Sequence, residues 1–174
     1  MRRVRYSVAA SLDGFIADED GGFDWIPNDP TVDFAAIFAR VDTVLLGRHS
    51  YELVARGGPA PWRPGTRVFV FSRTLRPATD AGINIVAEGA AETVAELRAE
   101  PGDGEIWLFG GGVLFGSLLA AGQVDAVEVT IVPVLLGSGV PVVAAGLPRT
   151  RLQLRDTHRY PTGMVSLIYD VIPR

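Results

Sequence analysis

Short, unbroken apolar runs alternate with stretches of helical spacing along most of this chain. Residues 3–10 form a β-rich run, and Ser11-Leu12-Asp13-Gly14 follows as a turn. Residues 30–40 carry Phe34, Ile37, Phe38 and Val41 on one face, which predicts a helix. Asn28 or Asp29 is placed to cap it, and Pro30 suits its first position. Thr43–Leu46 reads as a buried strand ending at Gly47, and residues 49–55 as a helix stopped by Gly57-Gly58.

The same alternation continues. Arg67–Phe71 and Ile83–Val86 are strands, and Ala90–Ala99 is an amphipathic helix using Ala91, Val94 and Leu97. Ile106–Phe109 is a strand and Val113–Ala121 a helix. Val124–Val134 is a long β segment that leads through Leu135-Leu136-Gly137-Ser138-Gly139 to Val140–Val143. Residues 151–159 and 164–172 flank Pro161-Thr162-Gly163 as an antiparallel hairpin. Strands that are apolar throughout are covered on both faces. The pattern therefore predicts an α/β architecture, with a mostly parallel central sheet and an antiparallel C-terminal edge.

Composition narrows the chemistry. The 174 residues, 48% hydrophobic, suffice for a single domain over 1–174. No apolar run reaches the length of a membrane span, and the basic-then-apolar start is interrupted by Ser7, Ser11 and Asp13, so it reads as a first strand and not as a leader. Cysteine is absent, which excludes disulfides and thiolate chemistry and favours a cytoplasmic setting. All 16 basic residues are arginine. Without lysine there is no Schiff base and no Walker loop. A net charge of −4 argues against a nucleic-acid surface. His49 and His158 are distant and form no metal-binding pair, and no Gly-x-Ser-x-Gly elbow supports a serine hydrolase.

Ligands of open α/β sheets bind beyond the carboxyl ends of the strands. Three such ends here carry Gly47-Arg48-His49-Ser50, then Ser72-Arg73, then Gly110-Gly111-Gly112. Helix N-termini offer free N–H groups, glycine lets a phosphate approach the backbone, and arginine forks onto phosphate oxygens. The set reads as an anion site, with a pyrophosphate against the helix that starts at Val113. It is not a Rossmann fingerprint: Gly110-x-Gly112-x-x-x-Gly116 has the wrong final spacing and lies late in the chain.

Leu46-Gly47-Arg48-His49-Ser50-Tyr51-Glu52 resembles the Gly-Arg-x-Thr-Trp/Tyr-Glu segment of dihydrofolate reductases, and Phe109-Gly110-Gly111-Gly112 their Ile-Gly-Gly segment. Ser11-Leu12-Asp13-Gly14-Phe15-Ile16-Ala17 and Val132-Pro133-Val134-Leu135-Leu136-Gly137-Ser138-Gly139 are similar to motifs of a sister group. That group comprises the reductase domain of bacterial bifunctional riboflavin-biosynthesis deaminase-reductases and its stand-alone relatives. The resemblance spans about residues 4–172. It implies a dihydrofolate-reductase-like fold with about four helices flanking the sheet, NADPH as cofactor, and a homodimer. It assigns Arg48 and Ser50 to the phosphates, and Ser72 and Arg73 to the adenosine ribose and its 2′-phosphate. Gly110, Gly111 and Gly112 would border the pyrophosphate, and the backbones of Ala9 and Ile16 would meet the nicotinamide carboxamide.

The implied activity is an NADPH-dependent reduction of a small heterocycle, of the 5-amino-6-(5-phosphoribosylamino)uracil reductase or dihydrofolate reductase type. Asp33 matches the substrate-facing acid of dihydrofolate reductases, and Asp13 is a second candidate for proton delivery. Phe23 and Trp25 are candidate pocket walls. Phe15 stands where the riboflavin-pathway enzymes commonly carry lysine, and Ser50 replaces the usual threonine. The alternative is a non-catalytic module that binds NADPH or a flavin.

Overall fold

The computed structural model describes residues 1–58, 60–76, 82–147 and 149–173. Its strands are β1 (Val4–Ser11), β2 (Phe15–Ala17), β3 (Val41–Gly47), β4 (Arg67–Phe71), β5 (Ile83–Val86), β6 (Glu105–Gly110), β7 (Ala126–Val132), β8 (Val140–Pro141), β9 (Leu152–Arg159) and β10 (Val165–Val171). Its helices are α1 (Phe34–Ala39), α2 (Arg48–Arg56), α3 (Ala90–Ala99) and α4 (Gly112–Ala120). The main sheet runs β5-β4-β3-β6-β1-β7-β10-β9, and β2 and β8 form a separate pair. From β5 to β7 all neighbours are parallel, and β10 runs antiparallel to both β7 and β9.

Side-chain alternation divides the core. One face of the sheet carries Val4, Tyr6, Leu45, Ile106 and Leu108 against Val94 and Leu97 of α3 and Leu114, Phe115 and Leu118 of α4. Tyr6 stacks on Phe115 at 3.9 Å and donates its buried hydroxyl to Val142 O at 2.9 Å. The other face carries Val44, Leu46, Val68 and Val70 against Tyr51, Val54 and Trp62. Phe38 of α1 packs there against Trp107.

Arg2 fastens the amino-terminal ends of the strands. Its side chain is buried, and it donates to Gly104 O, Leu97 O, Glu100, Thr43 Oγ1 and Asp42.

The boundaries of β4, β5 and α3 fall where the hydrophobic pattern places them. The helix expected over 30–40 is shorter, beginning at Phe34, and Asp33 caps it by accepting from Ala36 N at 2.8 Å. Asn28 and Asp29 therefore do not cap it. The Asp29 carboxylate is engaged one turn earlier, on Thr31 N and Thr31 Oγ1. Val32 N donates to Asp29 O, so residues 29–32 form a turn ahead of the helix. The expected strand 124–134 narrows to β7, and 140–143 to the two residues of β8.

Candidate active site

β4, β3 and β6 are neighbours in the sheet, so three of the predicted strand ends meet. Leu46 is level with Val70 on one side and with Gly110 on the other. The β3–β6 register slips between Leu45 and Leu46, leaving Phe109 as an extra residue in β6. A Cβ on Gly47 would stand 3.5 Å from Gly111 N and 3.6 Å from Gly110 O. Ser50 Oγ lies 3.3 Å from the corresponding point on Gly110 and 3.7 Å from that on Gly111. The glycines thus bring the backbones of β3 and β6 together beside one hydroxyl.

The β4 end joins the group through Arg48. Its Nη1 donates to Thr74 Oγ1 at 2.9 Å, and its Nε to Glu52 Oε1 at 2.7 Å. This hydrogen bond holds the Glu52 carboxyl below the usual carboxylate range. Ser72 Oγ accepts from Thr74 N and Leu75 N, and so shapes the turn that carries Arg73. Arg73 is exposed and has no hydrogen-bond or ion-pair partner among the described residues. α2 and α4 begin at Gly47 and Gly111 as N-caps without a capping side chain. Their first N–H groups are open to an external acceptor, reinforced by the helix dipoles. Val113, in the first turn of α4, is 77% exposed.

Gly112 does different work from its two neighbours. It is buried, and a Cβ there would stand 2.8 Å from Pro141 O and 3.0 Å from Val142 O. Its missing side chain makes room for the 140–144 segment as well as for the start of α4.

A cleft opens between β1 and β6. Their pairing stops at Tyr6–Leu108, whereas β1 stays paired with β7 as far as Ser11–Val132. Ile106 N donates to Arg3 O, and Asp125 N donates to Val4 O, so odd-numbered peptide groups of β1 face β6 and even-numbered ones face β7. Past Tyr6 that side has no strand beside it among the described residues. Trp107 Nε1 donates to Ser7 O at 3.1 Å, and the N–H and C=O of Ala9 point into the opening beyond. Phe38, Trp107 and Phe109 form an aromatic wall with centroid spacings of 5.6 and 5.1 Å. Phe23, by contrast, is half exposed, and Trp25 donates locally to Gly22 O. Ile16 lies in β2, which pairs with β8.

Neither acid put forward from the sequence has the buried setting that a proton donor needs near neutral pH. Asp33 is exposed and spends an oxygen on the α1 cap. Asp13 accepts from Gly137 N at 2.7 Å and from Leu136 N at 3.2 Å. Hydrogen bonds from Ser11 and from these amides hold its carboxyl below the usual range.

Two acids have partners that the sequence reading does not give them: Asp29 is read only as a candidate helix cap, and Glu128 is not singled out. Asp29 is 3% exposed and accepts from Thr31 and, across the molecule, from Thr162 N and Oγ1. These bonds hold its carboxyl well below the usual range, with the Thr162 hydroxyl the largest influence. Glu128 lies on the face of β7 opposite Val127 and Val129, where Arg5 and Ser166 donate to it. The Val-Glu-Val-Thr-Ile alternation was its only signal.

Comparison with known proteins agrees with this geometry. The model of the family described as RibD C-terminal domain matches residues 2–166. The Bacillus subtilis protein YyaP is 32% identical over 179 residues, covering 97% of this chain and 94% of that protein. A crystal structure from Shewanella sp. PV-4 superposes with a TM-score of 0.84 at 28% identity, covering 99% of this chain and all of the other. Dihydrofolate reductase from Enterococcus faecalis, solved with NADP(H), superposes at 0.68 with 16% identity, covering 98% of this chain and 97% of the other. The fold is dihydrofolate-reductase-like.

Proposed function

The chain belongs to the RibD C-terminal domain family, and from that premise we propose that it is an NADPH-dependent reductase of a small heterocyclic substrate. The observation that carries this reading is the convergence at three strand ends. Gly47 and Gly111 touch, Ser50 stands over Gly110 and Gly111, and Arg48 bridges to the turn that presents Arg73. Such a site suits a dinucleotide. The uncapped starts of α2 and α4, with Arg48 and Ser50, would hold the diphosphate. Arg73, with Ser72 beside it, would take a 2′-phosphate, which NADH lacks. The inward-facing amide and carbonyl of Ala9 match the carboxamide of a nicotinamide, with Ile16 as a second backbone contact.

When bound, the nicotinamide supplies a hydride. The chain's part is to orient the donor against a substrate seated along β1, with Trp107 and Phe109 excluding water from one side. Asp13 and Asp33 hold structure, so we assign the proton to water entering beside Asp13. Their structural employment also favours the second reading, a module that binds NADPH without turnover. Oxidation of NADPH with a panel of pterin, pyrimidine and quinonoid compounds separates the two.

We further assign a homodimer. Val129, Leu167, Tyr169 and Leu154 lie across β7, β10 and β9 on one sheet face, where Leu154 is 54% exposed. An apolar face of this kind is matched by a second copy of itself. Sedimentation of the wild type and of Leu154→Glu is expected to show a dimer and a monomer.

The test of the cofactor reading is Arg73→Ala. It is expected to weaken NADPH tenfold or more and leave NADH within about twofold, since a charged hydrogen bond contributes roughly 1.5–3 kcal/mol. Equal losses for both would move Arg73 away from the 2′-phosphate.

A further inference from the structure

Four guanidinium groups gather on the sheet face that carries α1. Arg3, Arg5, Arg40 and Arg155 line one cavity of about 160 Å³. Arg3 and Arg5 belong to the start of β1, and Ala126 on the cavity floor opens β7. The cavity thus lies towards the amino-terminal ends of these strands, whereas the glycines and arginines of the candidate cofactor site lie at the carboxyl ends of β3, β4 and β6. Counted with every acid around them, the four charges are balanced. Hydrogen bonding is not. Arg5 is engaged by Glu105 and Glu128, and Arg3 by Asp170. Arg155 comes no nearer than 3.7 Å to Asp170, on the oxygen that Arg3 already holds. The Arg40 guanidinium has no partner among the described residues. Of the two carboxylates that line the cavity, Glu128 accepts from Arg5 and Ser166, and Asp156 from Thr157 N at 2.8 Å. A guanidinium offers five N–H donors and no acceptor, so the larger unused capacity is that of Arg40 and Arg155.

A local irregularity brings Arg155 to this place. Successive side chains of a strand point to opposite faces, so Arg155 and Asp156 would not share a cavity in a regular strand. The β9–β10 register shifts between Ile168 and Tyr169. Ile168 is level with Asp156 and Tyr169 with Leu154, which leaves Arg155 as an extra residue. A bulge of this kind re-aims a side chain. The floor suits an occupant as well. Ala126 stands between Arg5 of β1 and Asp170 of β10 in one row across the sheet, and its methyl group leaves the depth that a larger side chain would fill. One water takes roughly 30 Å³ in the liquid, so the cavity admits a small oxyanion with waters beside it. Arg40 follows α1 as its C-cap, two residues after Phe38 of the aromatic wall. An anion held between Arg40 and Arg155 would tie the end of α1 to β9.

We propose that this cavity is a second anion site, which takes a phosphate group, free or as a small monoester, between Arg40 and Arg155 with Arg3 at its rim. Guanidinium forks pair with phosphate oxygens, and a tetrahedral anion meets donors arriving from separate elements better than a planar carboxylate does. None of the lining residues belongs to the strand ends that carry Arg48 and Arg73 or to the opening beside Trp107. The site therefore stands apart from the reductase reading and does not rest on it.

The test is calorimetric titration of the full chain with inorganic phosphate and with glycerol 3-phosphate, at constant ionic strength, alone and with NADP in excess. The wild type is expected to bind at least one of them in the millimolar range or tighter, and NADP is expected not to displace it. The tighter of the two tells free phosphate from a monoester. Replacing Arg40 and Arg155 together by glutamine is expected to weaken binding at least about tenfold while NADP binds as before. Arg40→Gln alone serves if the double variant does not fold, and should weaken it at least about fivefold. Arg73→Ala, at the other end of the sheet, is expected to leave it unchanged. A wild type that binds neither compound overturns the proposal. So does binding that survives the Arg40 and Arg155 replacements, or that NADP or Arg73→Ala abolishes. Phosphate binding in a protein that fails to bind NADP would sink the dinucleotide reading and leave this site standing.

Discussion

Asp29 and Thr162 are held together across the molecule by two hydrogen bonds. The Asp29 carboxylate accepts from the hydroxyl of Thr162 at 2.7 Å and from its N–H at 3.2 Å. This fixes the segment ahead of α1 to the turn between β9 and β10. It also makes the link sensitive to acid. Asp29 in the folded protein titrates well below an unfolded aspartate. Its contribution to stability is present above pH ~4 and lost as pH falls through the depressed folded value. Thermal unfolding between pH 7 and pH 3 should therefore show a steeper acid decline for the wild type than for Asp29→Asn. At pH 7 the variant should be the less stable of the two.

The glycines at the end of β6 separate binding from folding. Gly111 has an extended backbone with φ −97°, and its nearest neighbour in the direction of a side chain is Ser50 Oγ at 3.7 Å. Gly111→Val is expected to fold and to abolish NADPH binding by filling the space beside Ser50. Gly110 has φ +146°, a region that side chains rarely adopt, so Gly110→Val should cost roughly 1–3 kcal/mol. Chemical denaturation and NADPH titration of both variants check this. An unfolded Gly111→Val would point to a structural turn.

Arg2 contributes to stability at a distance from the strand ends that carry the site. Its buried guanidinium serves Asp42, Glu100, Thr43 and two backbone carbonyls. Both acids are partly exposed and can be rehydrated when the arginine is removed. Arg2→Ala is therefore expected to cost about 3 kcal/mol, at the lower end for breaking a buried pair. NADPH affinity should be unchanged within twofold. Urea unfolding and cofactor titration, run on the same preparation, test both halves.

Asp13 is expected to behave as a clasp. Asp13→Ala frees the amides of Leu136 and Gly137 and should make residues 134–139 susceptible to limited proteolysis. Any NADPH-oxidising activity should fall by less than about tenfold. A loss of a hundredfold or more, within the range set by a general acid, would restore it as a proton donor.

Much of this molecule was legible because its signals are local. Arg67–Phe71 and Ala90–Ala99 announce themselves by period, and the residues after β3, β4 and β6 by their place at strand ends. What escaped is long-range. Asp29 read as a helix cap because its partner Thr162 lies at the far end of the chain. Gly112 read like its two neighbours, although the carbonyls of Pro141 and Val142 dictate its size. Glu128 was visible as a polar residue in an alternating strand. Its bonds with Arg5 and Ser166 come from neighbouring strands, and neither leaves a mark on the residues around it.

That early end has a mechanical consequence. Among the described residues, β1 pairs with β7 alone from Ser7 to Ser11, with the Trp107 side chain as its remaining link to β6, so this seam has the fewest strand bonds to resist flexing, like a partly opened zipper. A ligand that bonds to the Ala9 amide and carbonyl while gripping the β3 and β6 tips would act as the absent tooth. Occupancy should then slow hydrogen exchange across the whole seam, including at peptides the ligand never touches.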